Sequence, residues 1–137
     1  MERVPVKYLL DTHAWVWWQM APNKLSRKAR ALIANPERYD EMLLSAISPW
    51  EFCKLIEKQR LGISCNPQEW ITRALAMPKL RIVPLTPELA YQSTILPQPF
   101  HGDPGDQIIV ATARAENATI ITKDKLIREY PHTRTLW

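Results

Sequence analysis

Glycine is scarce in this sequence, standing only at positions 62, 102 and 105, and that scarcity removes several chemistries. Neither the glycine-rich loop of P-loop nucleotide enzymes nor the G-x-G-x-x-G turn of dinucleotide-binding folds can be assembled from it. Cysteine is scarcer still. Cys53 and Cys65 form no C-x-x-C pair and join no Cys/His cluster, which argues against a zinc ribbon, a zinc deaminase or a disulfide framework. Both thiols are expected to be packing residues in a reducing cytoplasm. No apolar run approaches the roughly 18 residues that span a bilayer. Even Ala14 to Met20 is short and flanked by polar positions, so no membrane association is expected.

What is present suits one domain covering residues 1–137, since a 46% apolar content is enough for a single continuous core. The formal charge of +4 is compatible with a polyanionic substrate or an acidic partner, and equally with an ordinary basic surface that aids solubility.

Hydrophobic spacing divides the chain into alternating strands and helices. Lys7 to Leu10 reads as a strand, and Ala14, Trp15 and Trp18 then follow helical spacing, leaving Asp11 at the junction. Leu25, Ala29, Leu32 and Ile33 form the stripe of an amphipathic helix ending near Asn35-Pro36. Met42 to Ala46 is a second strand. Ser48-Pro49-Trp50-Glu51 carries a capping serine, a first-turn proline and a glutamate three residues after the cap, predicting a helix to about Lys58. Further helices are expected over Pro67 to Met77 and from Thr86 to Leu96, with a strand from Leu80 to Leu85 between them. A proline-rich loop, Pro97 to Gly105, leads to a helix from Asp106 to about Glu116 that Asn117 stops. A fourth strand over Ala118 to Thr122, a short helix over Lys125 to Tyr130 and a closing strand near Arg134 to Leu136 complete the reading. This alternation predicts an α/β three-layer sandwich with a central, mainly parallel sheet.

In such sheets ligands bind beyond the carboxyl ends of the strands. Asp11, Glu51, Asp106 and Asp124 are all expected at that edge, and Asp103 reaches it from the loop. Two unit charges about 4 Å apart repel by roughly 4 kcal/mol at an effective dielectric of about 20, so such a cluster must either take up protons or hold a cation. An all-oxygen donor set suits Mg²⁺ or Mn²⁺, which can activate a water and stabilise charge on a phosphodiester. Each acid also has a structural reading: Glu51 as half of a capping box with Ser48, and Asp103, Asp106 and Asp124 as helix caps. Asp11 is the hardest to explain structurally, because it ends an apolar strand where burial without a partner is costly.

Leu9 to Ala14 (LLDTHA), Ser45 to Glu51 (SAISPWE), His101 to Ala113 (HGDPGDQIIVATA) and Ile121 to Asp124 (ITKD) resemble, in order and spacing, the motifs of PIN-domain proteins, and most of all VapC-type toxins of bacterial toxin–antitoxin pairs. The resemblance implies a Mg²⁺- or Mn²⁺-dependent endoribonuclease acting on single-stranded or looped RNA. It carries the core metal-binding acids onto Asp11, Glu51 and Asp106, the more variable fourth onto Asp124, the small hydroxyl residue onto Thr12, and an additional acid onto Asp103. Where one subgroup reads Asp-Pro-Phe-Asp-Arg, this chain has Gly105 and Gln107 in place of the phenylalanine and arginine. The resemblance also implies a homodimer and an antitoxin whose segment occupies the cleft.

Other residues allow weaker readings. Trp15, Trp17 and Trp18 either stack on unpaired bases or fill a core or interface. His13 and His101 are candidates for proton transfer, and Arg27, Lys28, Arg30, Arg114, Lys123 and Lys125 for guiding phosphates. Two other functions remain open at this stage. One is an aspartyl-phosphate phosphatase of the haloacid-dehalogenase kind with Asp11 as nucleophile, although Asp11-Thr12-His13 lacks a second aspartate two residues on. The other is a catalytically silent binding module whose acids only cap helices.

Overall fold

The computed structural model describes residues 3–137. Five strands, β1 (Lys7–Leu10), β2 (Glu41–Ser45), β3 (Leu80–Val83), β4 (Thr119–Ile121) and β5 (Thr135–Leu136), pair in the order β3-β2-β1-β4-β5, all parallel. The central strands are apolar on both sides because both faces are covered. In register, Leu9, Leu43 and Ile120 are neighbours, as are Leu10, Leu44 and Ile121. Successive side chains point to opposite faces, so the two rows enter different cores.

Leu10, Leu44 and Ile121 meet α1 (Thr12–Met20), α2 (Arg27–Ile33), α3 (Ile47–Glu57) and α4 (Pro67–Ala74) through Trp15, Ala29, Leu32, Phe52 and Trp70. On the other face Leu9, Leu43 and Ile120 meet α5 (Pro87–Thr94), α6 (Pro104–Glu116) and α7 (Lys125–Arg128) through Leu89, Ile109, Val110 and Ile127. The result is the three-layer α/β/α sandwich expected. Trp15 is fully buried, packs edge-on against Phe52 and Trp70, and donates its Nε1–H to Ala74 O at 3.1 Å. Burial rules out base stacking for this residue. Cys65 packs beside the same core, but Cys53 lies exposed on α3, contrary to the packing role expected for both.

Two helix starts differ from the sequence reading. Helix α3 begins at Ile47, after Ala46, which makes no side-chain cap; Ile47 N donates instead to Ser45 Oγ at 3.2 Å. Ser48 is therefore inside the first turn and fully buried, and Pro49 occupies a position whose N–H would find no helical partner anyway. Helix α6 begins at Pro104, not Asp106, with Asp103 as its cap, and ends on Asn117 in the left-handed conformation at φ 54°. Asp106 consequently stands within the first turn.

Candidate active site

The carboxyl edge of the sheet gathers the acids. Asp11 leaves β1, continues the ladder by donating its N–H to Ile121 O at 3.1 Å, and starts α1 by accepting from Trp15 N at 3.0 Å. Glu51 comes from α3 behind β2, Asp103 and Asp106 from the head of α6, and Asp124 from the turn after β4. All five line one cleft of about 490 Å³, together with Thr12, His13, Trp50, Lys54, Lys58, Arg60 and Gly105.

Asp11 is held on both oxygens. Oδ1 accepts from Thr12 N and Oδ2 from Thr122 Oγ1, each at 2.7 Å. Thr12 Oγ1 donates to Glu51 Oε1 at 2.5 Å and lies 2.8 Å from Ser48 Oγ. A hydroxyl has one proton, so Ser48 must donate to Thr12 when Thr12 donates to an ionised Glu51. Glu51 is thus no capping partner of Ser48, because the two residues are joined through Thr12 across helices. Asp103 and Asp124 do cap: Asp103 Oδ1 accepts from Asp106 N at 2.9 Å, and Asp124 Oδ1 from Ile127 N at 3.1 Å. Capping engages one oxygen of each. Gly105 leaves room where a Cβ would collide with Glu51 Oε2, so the absence of a side chain there lets the glutamate approach α6.

No lysine or arginine pairs with any of these five acids among the described residues. The consequence shows in their proton affinities. Asp11 rises above the usual carboxylate range, chiefly through burial, against the opposing bonds from Thr122 and Thr12. Glu51 rises through burial and the charges of Asp11 and Asp103. Asp106 is pushed up to about 8 by burial and then by Asp11, Asp103, Asp124 and Glu51. His101 Nε2 lies 3.2 Å from Asp106 Oδ2 yet makes no hydrogen bond, its direction being poor, and it is otherwise buried without a partner.

The donor set is oxygen only, and its uncompensated charge fits a hard divalent cation. Among the described residues no three acidic, histidine or cysteine side chains form a ready-made cage, in keeping with an ion held by one or two carboxylates, waters and substrate oxygens.

Sequence reasoning missed Thr122, Ser48 and the basic wall of the cleft. A threonine two residues before Asp124 at a strand end was the available signal for the first. None of Arg27, Lys28, Arg30, Arg114, Lys123 or Lys125 lines the cleft; Arg114, for one, donates to His132 O. Lys54, Lys58 and Arg60 line it instead.

A family model described as the PIN domain matches residues 8–132. Ribonuclease VapC22 of Mycobacterium tuberculosis is 35% identical over 131 residues, covering 94% of this chain and 97% of that protein. Among solved structures, VapBC2 from Rickettsia felis bound to a promoter DNA fragment superposes with a TM-score of 0.65 at 19% identity, covering 96% of this chain and 98% of the other. A toxin–antitoxin complex from Klebsiella pneumoniae superposes at 0.63 with 23% identity, covering 95% and 96%. At such identities the structures show the shared fold.

Proposed function

Because the chain belongs to the PIN-domain family and is a homologue of the VapC ribonucleases, we propose that it is a metal-dependent endoribonuclease, the toxin of a toxin–antitoxin pair. The observation that carries this reading is the set of five carboxylates at one sheet edge, none paired with a lysine or arginine among the described residues and three of them with raised proton affinity. A structural cluster of this kind would be destabilising, whereas a divalent ion converts it into a site.

Asp11, Glu51 and Asp106 would hold the ion, and Mg²⁺ or Mn²⁺ suits their hard oxygens. Asp103 and Asp124 would offer it the oxygen that capping leaves unused. When bound, the ion supplies an activated water and offsets charge on the phosphate. The protein's own part is orientation. Thr12 N and Thr122 fix Asp11, while Thr12 Oγ1, itself held by Ser48, fixes Glu51 and favours its charged form. The open side of the cleft receives the RNA strand.

The whole chain, residues 1–137, acts as one such unit in the cytoplasm as a homodimer, and an antitoxin segment fills the cleft when the toxin is silent. No helix among the described residues is long and apolar enough to cross a membrane. The phosphatase reading is disfavoured because Asp11-Thr12-His13 lacks the second aspartate two residues on and the chain matches the PIN-domain model over residues 8–132. The capping reading fits Asp103 and Asp124 and fails for Glu51.

Purified protein incubated with RNA is expected to cleave it with Mg²⁺ or Mn²⁺ and to stop in EDTA. Asp11→Asn should abolish cleavage while leaving the circular dichroism spectrum intact. Phosphomonoester hydrolysis without RNA cleavage would favour the phosphatase instead.

A further inference from the structure

The cleft has a second wall that the carboxylate chemistry leaves unused. Helix α3 enters the site with Glu51 and continues along it with Lys54 and Lys58, three and seven residues later, which share one helical face. Gln59 then turns left-handed at φ 57°, and Arg60 N bonds back to Leu55 O at 2.9 Å. That turn folds Arg60 against the helix end and into the same cleft. Lys54 is shared with exposed Glu57 at 2.8 Å. Lys58 and Arg60 have no carboxylate partner among the described residues, so they carry the uncompensated charge of the wall.

Trp50 stands beside Glu51 in the cleft lining with 58% of its surface exposed, and Lys54 Nζ lies 5.6 Å from its ring centre. Leaving so large a ring in water forgoes burial that would favour the fold. No other large exposed apolar side chain among the described residues lines the cleft, Leu55 beside it being half-buried. A flat ring beside a cation, followed by further cations, matches a base followed by phosphates. The seven residues from Glu51 to Lys58 rise about 10 Å along the helix, room for two to three phosphates at the roughly 3.4 Å rise of a stacked strand.

We infer that Trp50, Lys54, Lys58 and Arg60 form a nucleotide subsite in which one unpaired base stacks on Trp50 and the adjoining phosphates follow Lys58 and Arg60. This subsite rests on the nuclease reading of the acidic wall. The subsite requires a base with a free face, because bases in a closed duplex are already covered by their neighbours.

Binding is measured by fluorescence anisotropy in an Asp11→Asn background with Mg²⁺, which prevents turnover. The probes are a short labelled single-stranded RNA of mixed sequence and a ribose–phosphate strand of equal length without bases. Trp50→Ala is expected to weaken RNA binding by about tenfold and to leave the abasic strand unaffected, with Trp50→Phe restoring most of the loss. Lys58→Ala and Arg60→Ala should weaken both strands, each reducing the salt slope by about 0.7. Unchanged RNA binding by Trp50→Ala, as for a residue that contacts a protein partner, overturns the subsite, and so do equal losses on both strands. Cleavage by the unmodified protein is assayed in parallel. Intact RNA there overturns the nuclease reading, whereas cleavage combined with indifference to Trp50 overturns the subsite alone.

Discussion

The two edges of the sheet treat charge in opposite ways. At the amino edge Arg81 bonds Glu41 at 2.8 Å and Glu116 at 2.7 Å, while Lys7 approaches the same two carboxylates at 3.7 and 3.4 Å. Two cations meet two anions. Glu41 falls below the usual carboxylate range, chiefly through its bond to Arg81. At the carboxyl edge five acids converge with none paired to a lysine or arginine among the described residues, and Asp106 rises to about 8. The carboxylates of the first edge are paired within the chain, whereas those of the second are not. The same residue type thus has a lowered proton affinity where it is paired and a raised one where it is not.

The largest test of this contrast is Asp106→Asn. RNA cleavage should fall by about 10³-fold, while the metal-free protein should become more stable at pH 8, on the order of 1 kcal/mol once water at the cleft mouth is allowed for. The sign follows from linkage. The folded chain keeps the Asp106 proton between 3.8 and about 8 where the unfolded chain has lost it, so stability falls as pH rises through that window. Glu41, shifted the opposite way from 4.5, loses its contribution only in more acidic solution. Thermal melts of metal-free protein should therefore decline from about pH 5 to 8, recover with Mn²⁺, and flatten in Asp106→Asn. A stability gain with rising pH in that window would break the comparison.

Thr12→Val comes next. It removes the hydroxyl joining Ser48 to Glu51 at nearly constant volume, and Mn²⁺ affinity by calorimetry should drop about tenfold or more. Unchanged affinity would show that Glu51 needs no such support.

Much of this was legible beforehand. Lys7 to Leu10, Met42 to Ala46 and Ala118 to Thr122 read as strands because apolar residues facing both layers leave an unbroken run, and the acids followed from their places at strand ends. The role of Ser48 was hidden, since Ser-Pro-x-Glu spells a capping box whichever residue starts the helix. Only the bond from Ile47 N to Ser45 Oγ moves the start forward and turns Ser48 inward. Likewise Gly105 read as loop, yet it sits in the first turn of α6 because Asp103 already caps there. The basic wall depends on which helix flanks the cleft, a tertiary fact that charge spacing alone does not carry.

The smallest effect is expected at the amino edge. Arg81→Met leaves Glu41 and Glu116 with only the longer contacts to Lys7 and should lower stability by about 1 kcal/mol, read from the denaturant midpoint. RNA cleavage should not change. A loss of activity comparable to that of Asp106→Asn would mean the two edges are not separate devices.

The most direct measurement is the anomalous difference map of a crystal soaked in Mn²⁺. The ion is expected within about 2.1 Å of carboxylate oxygens drawn from Asp11, Glu51 and Asp106, with Asp103 and Asp124 reached directly or through water. A well-ordered crystal whose Mn²⁺ lies elsewhere, with these carboxylates carrying none, would contradict the account.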